Sequence, residues 1–453
     1  MREGSLEAPT RHPVDWQNPD FYDEVKLDVE LRRVFDICHG CRRCFNLCDS
    51  FPKLFTLIDQ TPSETLDEVP SAGFKSVVDD CTLCDMCYMT KCPYVPPHEF
   101  NLDFPHLMVR YRAVEFRKGL VPRAARALNQ TDRNGRLAGL AAPVANWATD
   151  RRNELTRPVM ERVLGVHRDA AVPKFHGRTF MVRAKAESAF ADIQAPAFGR
   201  KAAIFATCFV NYNNPAIGMA ARAVLARNGV AVTECYPGCC GMPQLEQGNL
   251  EAVVASAGRV ARALEPLIDA GHDVVALVPS CALMLKSEWP LLVPRTSPDF
   301  PVVAKLAAAT YDISEYMVDI ARKEGLTPGL APVEGGVTVH IACHARAQNM
   351  GRKAVEMLRQ IPGLDLKVIE RCSGHGGSWG LGKDHFETAL KVGAPTAQQA
   401  AAAGKAHVVS ECPLAGTHIL QGMERIDGAQ VPPEALHPIQ ILARAYGLDV
   451  GIG

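Results

Sequence analysis

Eight of the sixteen cysteines stand in two evenly spaced runs between Cys38 and Pro93. The first run holds Cys38, Cys41, Cys44 and Cys48, and the second holds Cys81, Cys84, Cys87 and Cys92, with Pro93 directly after. Two residues between successive thiolates let one tight loop wrap a corner of an iron–sulfur cubane with its backbone N–H groups aimed at the sulfurs. Three ligands from one run leave one iron unclaimed, and the last cysteine of the other run completes the set. The spacing therefore assigns Cys38, Cys41, Cys44 and Cys92 to one [4Fe–4S] cluster, and Cys81, Cys84, Cys87 and Cys48 to a second. A pair of zinc knots is the competing reading, but zinc ribbons present cysteines in pairs, whereas here triplets recur, each with a distant fourth. Thirty-two residues separate Cys48 from Cys81, too many for a compact two-hairpin ferredoxin. A longer, mainly helical ferredoxin-like module is expected.

Charge decides little. The net charge is −1 and the pI about 6.9, with no signature of a nucleic-acid partner. Sixteen cysteines without an apolar secretory leader favour metal ligation over disulfides, and so a reducing, cytoplasmic setting. No window approaches the roughly twenty apolar residues needed to span a bilayer, so membrane contact is expected to be peripheral, at the inner face, or through a partner.

Five segments follow from the texture of a chain of 453 residues. Residues 1–30, with Pro9, Pro13 and Pro19, read as an irregular arm without a function, and Asp28 to Ile37 as one short amphipathic helix. Residues 31–104 form the ferredoxin-like module. Residues 105–200 lack cysteine, are rich in arginine, and break into helices at Pro122, Pro143 and Pro158. This connector reads either as a solvated linker or as a basic surface for a membrane face or an acidic redox partner, and the linker is the plainer reading. From residue 201 short apolar runs (202–206, 230–232 and 274–278, then 337–342, 366–370 and 407–409) alternate with alanine-rich helical stretches. That order predicts parallel sheets covered by helices in two lobes, 201–330 and 331–453. The expected fold class is thus a multidomain α+β and α/β chain.

The remaining cysteines expose a duplication. Cys208, Cys239 and Cys281 are matched by Cys343, Cys372 and Cys412 at offsets of 135, 133 and 131. Each falls just past a predicted strand, where open α/β sheets place their ligands. The adjacent thiolates of Cys239-Cys240-Gly241 diverge from neighbouring backbone units, which suits two irons of one cluster better than a single zinc. In the second copy the run is Cys372-Ser373-Gly374-His375-Gly376-Gly377. Gly-x-Gly-x-x-Gly from Gly374 fails at Trp379, so no dinucleotide loop is read there. The glycines are expected to let backbone approach a metal centre.

These motifs resemble the Cys-Cys-Gly iron–sulfur oxidoreductase family, which contains the D subunit of heterodisulfide reductase and the C subunit of anaerobic glycerol-3-phosphate dehydrogenase. The resemblance rests on Cys38–Cys48, Cys81–Pro93, Cys239-Cys240-Gly241, Pro279-Ser280-Cys281, Cys343-His344 and Cys372-Ser373-Gly374 with Gly377. It implies an electron wire in the eight-cysteine module and a third iron–sulfur cluster on Cys208, Cys239, Cys240 and Cys281, with Cys239 and Cys240 at the catalytic centre. Cys235 is either a fifth ligand or a buried free thiol. The second lobe departs from the pattern at Ser373 and Ala415, leaving Cys343, Cys372 and Cys412 with His344, His375 and His418 nearby. Three thiolates and one imidazole suit zinc or a cluster with one distinctive iron, and His375 is the preferred fourth ligand.

The leading expectation is an electron-transfer oxidoreductase subunit with a separate redox partner, a flavoprotein dehydrogenase or a peroxide reductase, and a quinone pool as one destination. Two alternatives are an enzyme that itself reduces a disulfide-type substrate at the Cys-Cys-Gly cluster, and a zinc-stabilised interaction scaffold.

Overall fold

The computed structural model describes residues 9–187 and 189–448. The opening residues of the arm and the last five of the chain lie outside the described residues. The arm's described part is packed against the rest of the chain. The Trp16 indole donates to the Leu292 carbonyl at 2.7 Å, and Val14 N–H donates to Leu291 at 2.8 Å, so the arm lies across the first lobe. The first helix, α1, is also longer than the expected Asp28–Ile37 stretch, running Glu24–Cys41. The Asp23 side chain caps its N-terminus by accepting from Lys26 N–H, and Leu27, Leu31, Val34 and Phe35 form its buried stripe. Cys38 and Cys41 therefore belong to the last helical turns. Arg42, in the left-handed region at φ 53°, stops the helix and turns the chain toward Cys44.

Between the cysteine runs the chain is helical, at Ser50–Asp59 and Phe74–Asp79. The connector is helical too, at Phe104–Arg117, Arg123–Leu128, Thr131–Leu140, Ala142–Thr149, Arg157–Leu164 and Phe180–Ala186.

Two small sheets follow, both parallel. The first joins β1 (Lys201–Phe205), β2 (Ala231–Cys235), β3 (Asp273–Ala276) and β4 (Thr310–Asp312) in the order β2-β1-β3-β4. The second joins β5 (Val337–His340), β6 (Leu366–Ile369) and β7 (His407–Ser410) in the order β6-β5-β7. The central strands β1 and β5 are buried along almost their whole length, as strands covered on both faces must be. Each lobe thus repeats one topology, second strand to first to third. β4 is extra and was not legible in the sequence, because Thr310-Tyr311-Asp312 is too short to carry a period.

Three parts of the chain meet at one small apolar joint. Met86 from the module, Leu283 from the first lobe and Ala347 from the second pack together, with Cys84 and Cys343 at the edge.

Candidate metal centres

The four thiols of each predicted cubane come together. Burial pushes the Cys38 thiol well above its ordinary value, and its next strongest perturbers are Cys92, Cys44 and Cys41. Burial likewise raises Cys48, followed by Cys84 and Cys81, and raises Cys87, followed by Cys84 and Cys81. Crowded thiols of this kind keep a charged form only when a cation or cluster takes it up. The residues present therefore fit two four-thiolate sites. Their loops are shaped for the purpose: Arg42, Leu83 and Asp85, all between ligand cysteines, have positive φ (53°, 49° and 62°), and Thr207, just before Cys208, has φ 54°. Non-glycine residues accept this conformation at a cost that surrounding structure must offset.

In the first lobe each cysteine stands past a strand end. Cys208 opens the short helix after β1, Cys239 and Cys240 follow β2, and Cys281 lies in the turn of helix after β3. The Cys208 and Cys239 sulfurs are 3.8 Å apart, and Cys239, Cys240 and Cys281 are buried. The surroundings include residues that motif reading missed. Asp132, from the connector, accepts Cys239 N–H at 3.1 Å and also the Tyr236 hydroxyl. Thr131 lies beside Cys208 and Cys239. The Trp289 indole donates to the Cys240 carbonyl at 3.0 Å. Cys235 turns away: its thiol donates to the Ile204 carbonyl at 3.2 Å inside its own sheet, and burial pushes it up to about 12.

The two lobes share this local wiring. Ser256 Oγ donates to the Cys239 carbonyl at 2.6 Å, and Thr396 Oγ1 donates to the Cys372 carbonyl at 2.7 Å, each from the long helix after the loop. Gly241 N–H reaches Cys239 Sγ at 3.5 Å, and Gly374 N–H reaches Cys372 Sγ at 3.3 Å. The loop geometry is the same although Ser373 stands where the first lobe has its second cysteine.

The second-lobe thiols face the module. Cys84 is raised by burial and then by Cys372, and Cys343 by burial and then by Cys84, Cys372 and Cys412. Cys412 in turn is within reach of Cys281. His344 bonds the Leu83 carbonyl at 3.1 Å. His375 is buried beside His418, with 5.9 Å between ring centroids, and neither Nε2 has a hydrogen-bond partner. Burial and then His418 depress His375 to about 3, so it stands as a neutral imidazole. Among the described residues no three Cys, His, Asp or Glu side chains close around one point as a single ion requires. The glycines also let the backbone approach other parts of the protein closely. A Cβ on Gly374 would fall 2.0 Å from the Ala389 carbonyl oxygen, one on Gly376 2.5 Å from Thr82 Cγ2, and one on Gly377 2.5 Å from Glu246 Oε1. They let the loop seat on its own helix, on the Cys81–Cys84 turn and on the first lobe.

Comparison with known proteins matches the cysteine-rich domain family at residues 202–286 and again at 337–419. A stretch of 190 residues, 40% of this chain, is 30% identical to lactate utilization protein A of Geobacillus thermodenitrificans and covers 74% of that protein. The chain belongs to the cysteine-rich domain family. The two matched segments bracket β1–β3 and β5–β7, so the family's domain is present twice. The C subunit of anaerobic glycerol-3-phosphate dehydrogenase from Escherichia coli (strain K12) is 27% identical over 323 residues, 70% of this chain and 76% of the relative. The B subunit of the fumarate reductase (CoM/CoB) of Methanothermobacter marburgensis is 30% identical over 258 residues, 55% of this chain and 47% of the relative. By name these two relatives are parts of larger enzymes, one a dehydrogenase and the other a reductase.

Proposed function

We propose that this chain is an iron–sulfur electron-transfer subunit of an oxidoreductase complex, relaying electrons between a partner dehydrogenase or reductase and its Cys-Cys-Gly centre. The observation that carries this reading is the joint where the module meets both lobes, with Cys84 and Cys343 at its edge. Cys44 of the first set perturbs Cys87 of the second, Cys84 of the second perturbs Cys343, and Cys412 reaches Cys281 of the first lobe. Bound at these sites, [4Fe–4S] clusters supply one-electron carriers. The protein's part is to hold them in sequence, exclude water and aim N–H groups at their sulfurs. Cys208, Cys239, Cys240 and Cys281 hold the third cluster, while among the described residues Cys343, Cys372, Cys412 and His375 do not close around one point as the single ion expected there requires. A disulfide-reducing enzyme needs access to Cys239 and Cys240, which are 7% and 2% exposed, so the relay is the better reading.

The setting is cytoplasmic, with a peripheral contact at the inner membrane face. Among the described residues no helix is long and apolar enough to cross a membrane. Among the described residues, twelve of the fifteen exposed large apolar side chains fall between Leu120 and Phe198, including Leu140 at 88% and Trp147 at 57% exposure. The same segment carries thirteen Lys and Arg against seven Asp and Glu. That combination departs from a merely solvated linker and suits an anionic lipid surface.

The test is iron, zinc and acid-labile sulfide content of anaerobically purified protein, with EPR of oxidised and dithionite-reduced samples. About twelve irons are expected from three cubane-sized clusters. About eight would strip the first lobe of its cluster, and a colourless zinc protein would end the electron-transfer reading.

A further inference from the structure

The two clusters of the module are not equally placed. Cys81 and Cys87 of the second set are buried, Cys48 and Cys84 are partly buried, and the turn that carries Cys81 and Cys84 is covered by the second lobe through Gly376 on Thr82 and His344 on Leu83. The first set lies at the surface. Cys38, Cys41, Cys44 and Cys92 line a pocket together with Arg43 and Tyr94, and all four cysteines are only partly buried. Arg43 lines this pocket and Lys91 directly precedes Cys92, and both side chains are exposed. Among the described residues neither is part of an ion pair. The neighbouring acid, Asp59, is already engaged by Arg42 and His39. Phe45, two residues after Arg43, stands at 59% exposure, held nearly parallel to Phe55 at 6.4 Å between ring centroids. It is the one exposed large apolar residue of the cysteine loops among the described residues.

We infer that this rim, Arg43, Lys91 and Phe45 around the Cys38/Cys41/Cys44/Cys92 site, is the docking port for an acidic one-electron carrier protein. This rests on the relay reading and names where the relay meets its partner. Uncompensated cations beside the module's outward-facing redox site steer an anionic surface to it, and an exposed rigid ring supplies the apolar contact at the centre of a small transient interface. One electron passes between the partner's centre and the four-thiolate site; one side is oxidised as the other is reduced, and no bond or proton moves. A lipid surface is the poorer occupant, because a single ring among the loops offers little area to insert.

The experiment is stopped-flow reduction of the anaerobic full-length protein by two donors: a reduced acidic plant-type ferredoxin, and the small cationic radical of methyl viologen. Cluster content is fixed by EPR in each sample. In the wild type the ferredoxin rate constant falls as ionic strength rises, because salt screens the steering. R43E combined with K91E lowers the ratio of ferredoxin to viologen rate constants by about tenfold or more at low salt and flattens the salt slope. F45A lowers the same ratio without changing the slope. If R43E fails to hold iron, R43Q and K91E are compared in its place. A ratio within about twofold of wild type in the charge variants, with the salt slope intact, overturns the port. The relay is judged separately, by whether electrons from viologen pass beyond the first site. Their failure to do so would count against the relay whatever the ratio shows.

Discussion

His344 donates its ring Nε2–H to the backbone carbonyl of Leu83 at 3.1 Å. A carbonyl only accepts, so the contact also sets the tautomer. It ties the residue after Cys343 to the turn between Cys81 and Cys84, although the two lie 261 positions apart in sequence. The Gly376–Thr82 contact reinforces the same seam. Through it the second lobe stands next to the inner cysteine set of the module, which the first lobe also reaches through Leu283 on Met86.

That seam makes the first prediction. H344A removes one hydrogen bond and lowers stability by about 1 kcal/mol. G376V is more severe, because φ is +57° and a Cβ there would sit 2.5 Å from Thr82 Cγ2. Freeze-quench EPR of G376V is expected to show the module reduced at the wild-type rate and the lobe centres reduced late. Equal timing in all centres would mean that electrons bypass this contact.

A second prediction concerns the buried ionic cluster under the arm. Arg11 bonds Asp85 at 2.8 Å, Asp103 at 2.8 Å and Glu288 at 2.9 Å, while His106 bridges Asp103 at 3.1 Å and Glu288 at 3.0 Å. Burial and Arg11 act to lower the His106 value, yet Asp103 and Glu288 outweigh them and lift it to about 9. A value raised on folding contributes stability that is complete below the ordinary histidine value of about 6.5 and is lost as pH rises through about 9. Denaturant unfolding of the wild type should therefore weaken across that window by on the order of 3 kcal/mol. H106Q should lack this component. Identical pH profiles for the two proteins would show that the imidazole is uncharged in the fold.

The first-lobe site and its neighbour Cys235 separate cleanly. C208S is expected to remove one cluster's worth of iron and its EPR signal. C235S should leave both intact, since a serine hydroxyl can take over the bond to the Ile204 carbonyl. Loss of iron in C235S would make it a ligand after all.

The apolar face of the connector can be tested on vesicles. Leu137 and Leu140 on the helix Thr131–Leu140, and Val144 and Trp147 on the helix Ala142–Thr149, are all exposed. Co-sedimentation with anionic phospholipid vesicles is expected for the wild type and should fall by about tenfold in L140E combined with W147E. Binding that is equal on neutral and anionic vesicles would discount the arginines.

The cysteine spacings, the strand and helix order and the duplication were legible in the residues. Each is written in short patterns: two residues between thiolates, apolar runs of five, a repeat offset near 133. Such patterns are local because a metal loop, a strand and a helix are each built by neighbours in the chain. Asp132 beneath Cys239, Ser256 and Thr396 on the cysteine carbonyls, and Arg11 among three carboxylates carried no such signal. Their partners come from other elements, and only packing selects them. The glycines after Cys372 show the division plainly. The need for glycine could be read from the sequence, but whether backbone, helix or metal would press against it was decided only when the second lobe closed on Thr82.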